Sequence, residues 1–238
     1  MKTGKILSRA VDMLYPKRCP FCDGAITADR LVCGKCSPKV KYITGSTCFK
    51  CGKPLQDDGR MYCYDCRIYP KSFDRGFAVF EYDSVRESLY RFKYSGRAEY
   101  AGFYAASTVK LYSETFHYMK PQAFVPVPVH KSRYNSRGYN QAEEYALSLS
   151  KLTGIPVESK LIKRVKRTKA QKELTPLKRQ KNLKKAFKLC SYGVKLQRVC
   201  VVDDIYTTGS TVNAVAELLL QAGVREVYFI AIAVGRGF

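Results

Sequence analysis

Acidic residues are scarce in this chain: 20 Asp and Glu stand against 42 Lys and Arg, giving a formal charge of +22 over 238 residues. The shortage points away from cationic partners and toward anionic ones such as phosphates, nucleic acid or acidic lipid. Long apolar runs are lacking as well. No segment offers about 18 uninterrupted apolar residues, which argues against a membrane-spanning helix. The first apolar stretch is broken by Arg9 and Asp12 before it reaches signal-peptide length. A reducing cytoplasm is therefore the expected location. There is no internal repeat beyond one set of cysteine pairs. The hydrophobic fraction of 46% is that of a folded chain, enough for one ordinary domain and a small satellite.

Only Cys190 and Cys200 lie outside CxxC doublets. The other eight cysteines form "CPFC" (Cys19, Cys22), "CGKC" (Cys33, Cys36), "CFKC" (Cys48, Cys51) and "CYDC" (Cys63, Cys66). The intervals between doublets hold ten, eleven and eleven residues. Such regularity suits tetrahedral thiolate sites for zinc better than disulfides, and eight thiolates make two sites. Four thiolates per ion leave no open position for water, so both zinc ions are expected to be structural. Pairing along the sequence would join Cys19, Cys22, Cys33 and Cys36 on one ion and Cys48, Cys51, Cys63 and Cys66 on the other; spacing alone also admits an interleaved arrangement. Gly34 and Gly52 suit tight knuckle turns. Zinc-bound thiolates would lower the net charge to about +18, still strongly basic.

Apolar residues at helical spacing (Ile6, Leu7, Ala10, Val11, Leu14) predict a short amphipathic helix before Pro16. From Cys19 to Cys66 long apolar runs are few, so metal must stand in for a core. The chain divides near Pro70, into residues 1–70 and 71–238. Beyond that point "FAVFEYD" reads as a strand, and Ser84 as the cap of a helix stopping at Gly96. "EYAGFYAASTVKLYSE" reads as a second helix, and "AFVPVPVH" as a strand made irregular by Pro126 and Pro128. "YNQAEEYALSLSKLTG" predicts a helix with Ala142, Tyr145, Ala146, Leu149 and Leu152 along one side, ended by Gly154. Between Ser159 and Arg198 there are 15 Lys or Arg and one acid, Glu173, a basic excursion flanked by short strands. The last forty residues read as strand, loop, helix and strand, a βαβ unit that implies a parallel sheet covered by helices.

The loop of that unit carries the chemistry. In "VCVVDDIYTTGSTVNAVAELLL" a hydrophobic strand ends on Asp203 and Asp204 and runs through Thr207, Thr208, Gly209, Ser210 and Thr211 into a helix. Ligands of α/β sheets bind at the carboxyl ends of strands, and amides at a helix N-terminus favour an anion. Gly209 removes a Cβ that would hold a phosphate away, and the hydroxyls add donors. The carboxylates, being acceptors, suit the hydroxyls of a sugar attached to that phosphate. A strand-to-helix turn with ordinary caps would explain the hydroxyls but not paired acids on a hydrophobic strand.

This segment resembles the binding motif of type I phosphoribosyltransferases, which grips 5-phosphoribosyl 1-pyrophosphate (PRPP). The resemblance implies an α/β fold with a parallel sheet and flanking helices. It implies that Asp203 and Asp204 hold the ribose hydroxyls, that residues Thr207 to Thr211 hold the 5′-phosphate, and that Mg²⁺ accompanies the pyrophosphate. With "RFKYSGRAEYAG", "VPVPVHKSRYNSRGYNQA" and "RTKAQKELTPLKRQKNLKKAF", the four doublets and the helix ending in Tyr-Pro, the whole chain resembles the ComF family, linked to DNA uptake in naturally competent bacteria. That resemblance implies a double zinc ribbon ahead of the transferase-like domain, binding of single-stranded DNA, a competence helicase as partner, and any contact with the inner face of the membrane made through partners.

His130, Lys131, Arg133 and Arg137 follow a strand end and are candidates for pyrophosphate or nucleic-acid contact, as are Arg164 and Arg167 in the excursion, which corresponds to the loop and hood of phosphoribosyltransferases. His130 reads equally as a turn residue, and a capping or salt-bridge role remains open for Arg133, Arg137, Asn140 and Gln141. Lys93 and Arg97, on either side of a Gly turn, read as a solvated face. Two functions fit: a competence protein that binds PRPP and single-stranded DNA, or an active phosphoribosyltransferase with an unidentified base or amine acceptor.

Overall fold

Four strands rich in β-branched and aromatic residues form the centre of the molecule: β1 (Arg75–Glu81), β2 (Ala123–Pro126), β5 (Arg198–Tyr206) and β6 (Glu226–Val234). They pair in the order β1-β6-β5-β2, every pair parallel. A parallel bridge from Phe124 to Val157 continues the sheet beyond β2. The computed structural model describes residues 16–56, 59–166, 185–190 and 195–235. The helix expected before Pro16 lies outside the described residues, as do Arg167 and most of the basic excursion.

Both faces of the sheet are covered, as a parallel sheet requires. On one face Cys200, Val202, Ile230 and Ile232 pack with helices α2 (Tyr82–Tyr94), α3 (Tyr100–Met119) and α5 (Gln141–Thr153). On the other, Val199, Val201, Phe229 and Ala231 pack with α6 (Ser210–Gln221) and with Ile43, Cys48 and Cys51 of the cysteine-rich segment. The short helices α1 (Tyr64–Ile68) and α4 (Lys131–Arg137) sit outside the sheet order. The flanks of the excursion pair as an antiparallel ribbon, β3 (Ile162–Arg164) with β4 (Phe187–Leu189). Both short strands agree with the sequence expectation.

Three local expectations change. Helix α2 starts two residues before Ser84, whose hydroxyl bonds back to the Glu81 carbonyl instead of capping the amides. Leu152 faces outward while Ala142, Tyr145, Ala146 and Leu149 are buried. Gly34 does not adopt a left-handed backbone; that role falls to Gly52 (φ 71°) and to Asp23 (φ 58°), each directly after the second cysteine of a doublet.

The cysteine-rich segment is fastened along the outer edge of β1. Ile43 N–H donates to the Val79 carbonyl at 2.9 Å, and Gly76 N–H donates to the Lys50 carbonyl at 2.9 Å. Its first half is fixed to α2, α3 and the turn between them. Arg97 makes a two-pronged ion pair with Asp23 (2.8 and 2.9 Å), Tyr100 donates to the same carboxylate at 2.6 Å, and Arg91 donates to the Phe21 carbonyl at 2.7 Å.

Candidate sugar-phosphate site and metal centres

Parallel pairing sets Pro126 opposite Val202, so β2 ends level with the residue before the two acids, while β5 does not stop on them but runs on beside β6 to Tyr206. Val127 N–H then donates to the Val202 carbonyl at 2.9 Å, which keeps the chain after β2 close to Asp203 and Asp204 before it turns into α4. The loop after β5 leads into α6 through Gly209, held left-handed at φ 75°. Gly209 makes no side-chain cap, and the first helical bond runs from Asn213 N–H to its carbonyl at 2.8 Å. The amides of that first turn therefore face outward as anion donors. The Thr208 and Ser210 hydroxyls lie 2.9 Å apart across the turn. A Cβ at Gly209 would run into the Tyr206 ring beneath it, 2.6 Å from Cζ, so the glycine serves the floor of the loop rather than the approach of a ligand.

Cations converge on the acid pair. Lys93 reaches from α2 to Asp204 at 2.8 Å, both side chains less than one-fifth exposed. Burial would raise the Asp204 carboxyl, but Lys93, with Arg137 behind it, outweighs that and keeps it below the usual carboxylate range. Asp203 behaves oppositely: burial and the charge of Asp204 push it up to about 8, although Lys93 and Arg164 oppose the rise. Its carboxylate accepts from the Asp204 amide at 2.9 Å. Arg164, half-buried on β3, is close enough to Arg133 and Asp203 to feel both charges. Arg137 donates to Gln141 (2.8 Å) and Tyr94 (3.1 Å).

The fold thus brings Arg137 and Arg164 to the acids, with the exposed Arg133 near Arg164. The His130 ring instead accepts from Ser132 N–H at 3.2 Å and caps α4, and Lys131 is exposed at the start of that helix. Asn140 caps α5 and donates to the Val127 carbonyl at 3.1 Å. Lys93 and Arg97, read as a solvated face, are both ion-paired. The missed signal for Lys93 was its position four residues after Leu89 and directly after Phe92, on the rim of the buried face of α2.

The eight paired cysteines gather in sequential fours: Cys19, Cys22, Cys33 and Cys36 in one group, Cys48, Cys51, Cys63 and Cys66 in the other, with the sulfurs of each group within 4.8 Å of one another. The contacts Cys22–Cys33 (3.8 Å) and Cys51–Cys63 (3.6 Å) match the tetrahedron edge of about 3.8 Å set by Zn–S bonds of about 2.3 Å. Both donor sets fit zinc and complete its coordination.

Comparison with known proteins agrees with this architecture. Residues 10–67 match the double zinc ribbon domain, and residues 135–236 match the phosphoribosyl transferase domain. Competence protein F of Haemophilus influenzae is 33% identical over 222 residues, covering 88% of this chain and 93% of that protein. Competence protein ComFC of Bacillus subtilis is 30% identical, covering 82% and 80%. The DNA utilization protein YhgH of Escherichia coli K12 is 31% identical, covering 82% and 87%. With two four-thiolate groups, a helix-covered parallel sheet and relatives matched over most of their length, the chain belongs to the ComF family of competence and DNA-utilization proteins.

Proposed function

We propose that the chain binds PRPP with Mg²⁺ at the β5–α6 loop and single-stranded DNA on its basic surface, as a competence protein acting in DNA uptake. The observation that carries this reading is the pairing of two half-buried carboxylates at a strand end with uncapped amides one turn away. The amides suit the 5′-phosphate, and Asp203 and Asp204 suit the ribose hydroxyls. Arg137 and Arg164 near the acids, with Arg133 near Arg164, suit the pyrophosphate. Mg²⁺ would supply charge neutralisation for that pyrophosphate. Tyr90, Tyr94 and Tyr134 are exposed among cations, the combination that stacks bases beside phosphate contacts. No described helix is long and apolar enough to cross a membrane. This reading puts the protein in the cytoplasm, with a competence helicase as partner and any membrane association made through partners.

Titration calorimetry with PRPP and Mg²⁺, with and without a single-stranded oligonucleotide, tests both halves. Saturable PRPP binding, weakened about tenfold or more by Asp204→Asn, is expected; absence of PRPP binding to the wild-type protein refutes the sugar-phosphate half. Transfer to an acceptor is a second reading, favoured by the neutral-range proton affinity of Asp203. Such transfer breaks the bond from ribose C1 to the pyrophosphate oxygen and forms one from C1 to an acceptor nitrogen, so pyrophosphate release on adding a base or amine would identify it.

A further inference from the structure

The second thiolate group lies directly beneath the phosphate loop. Tyr206 closes β5 with its ring stacked on Phe229 (4.7 Å between centroids, 10° between planes) and forms the floor under Gly209. Its hydroxyl is buried next to Cys51 and finds no hydrogen-bond partner among the described residues. A Tyr O–H in that place has an acceptor waiting once Cys51 is a metal-bound thiolate, because coordinated sulfur accepts hydrogen bonds from neighbouring groups. A second link runs through the segment following α1. Lys71 Nζ donates to the Thr208 carbonyl at 3.0 Å, and Ser72 N–H donates to the Asn213 side chain at 2.6 Å. The first thiolate group has no comparable tie to this loop among the described residues; its bonds go to α2, α3 and the turn between them.

We infer that the second thiolate group is the mount of the phosphate loop, with Tyr206 and Lys71 as the positioning residues that join them. Metal held by Cys48, Cys51, Cys63 and Cys66 thereby sets the order of residues 207–211 and their affinity for a phosphate. This coupling rests on the sugar-phosphate reading of the loop. It gives the metal a part in ligand binding although it never meets the ligand.

The test uses the full-length, zinc-loaded protein and the variants Tyr206→Phe, Lys71→Met and Lys71→Arg, with Arg97→Met as a control that loosens the first group only. Amide hydrogen exchange over residues 206–213, zinc content, and calorimetric titration with ribose 5-phosphate are measured on each. Tyr206→Phe and Lys71→Met are expected to speed exchange in the loop and weaken ribose 5-phosphate by about tenfold, the worth of one buried hydrogen bond to a charged group. Lys71→Arg should restore most of both, and Arg97→Met should leave loop exchange as in the wild type. Loss of zinc from Tyr206→Phe would report the same linkage in reverse. Wild-type loop exchange in both Tyr206→Phe and Lys71→Met overturns the inference. Failure of the wild-type protein to bind ribose 5-phosphate would count against the sugar-phosphate reading instead, and exchange would still decide whether the metal group and the loop are joined.

Discussion

At Asp203, burial beside a second negative charge gives a carboxyl that holds its proton to about pH 8. The folded chain binds this proton more tightly than the unfolded chain does. Between roughly pH 4 and pH 8 the native state therefore carries the extra proton, and stability falls as pH rises through that interval. Asp203→Asn should raise the melting temperature of the ligand-free protein by about 3–6 °C near pH 8.5, with the gain shrinking toward pH 4.5 in thermal melts. Asp204→Asn strips Lys93 of its partner and should lower the melting temperature instead. Gly209→Ala combines a left-handed backbone with a clash against the Tyr206 ring, and should cost about 1–3 kcal/mol in denaturant titrations. The two acids and the hydroxyl loop were legible because they are contiguous on one strand, turn and helix. Lys93 and Lys71 were not, because what makes each of them matter comes from a distant part of the chain, and no local pattern marks such a pair.

Among the elements, the knuckle of the first doublet shows how one residue can serve two structures. Asp23 accepts the left-handed conformation that Gly52 supplies in the second half, and its side chain is thereby aimed at Arg97 and Tyr100. The hydrogen bonds from Arg97 depress its carboxyl to about 2, with burial acting against them and Tyr100 and Arg18 assisting. A depressed carboxyl contributes stability above its unfolded value near 4, and that contribution is lost as pH falls toward 2. Arg97→Met should cost about 1 kcal/mol at pH 7, and the difference from the wild type should fade below pH 3 when followed by urea unfolding. The strands, α3, α5 and α6 could be read from apolar periodicity and glycine stops. Ser84 misled because Ser is a common cap, and the helix had already begun at Tyr82. Arg97 misled because the segment that pairs with it is held together by cysteines rather than by a hydrophobic stripe.

For the whole molecule, the excess of cations predicts binding to single-stranded DNA that weakens steeply with salt. Four to six phosphate contacts would give a log–log slope of about −3 to −4, read from fluorescence anisotropy between 50 and 300 mM salt; a flat dependence would remove electrostatics as the source of affinity. That eight paired cysteines make two four-thiolate groups was legible from doublet spacing, although spacing could not choose between sequential and interleaved pairing, which depends on how the cysteine-rich segment folds back. Nor could spacing show that the cysteine-rich half lies along the outer rim of β1, where Ile43 and Lys50 bond to strand backbone that would otherwise be open. A chain begun at residue 71 would leave that rim bare, with Gly76 to Phe80, all buried in the intact protein, on its last strand. Such a rim invites a neighbouring molecule to add its own strand. The truncated protein should accordingly clump or pair edge to edge, and its insolubility would reveal a shield against self-recruitment rather than a missing enzyme part.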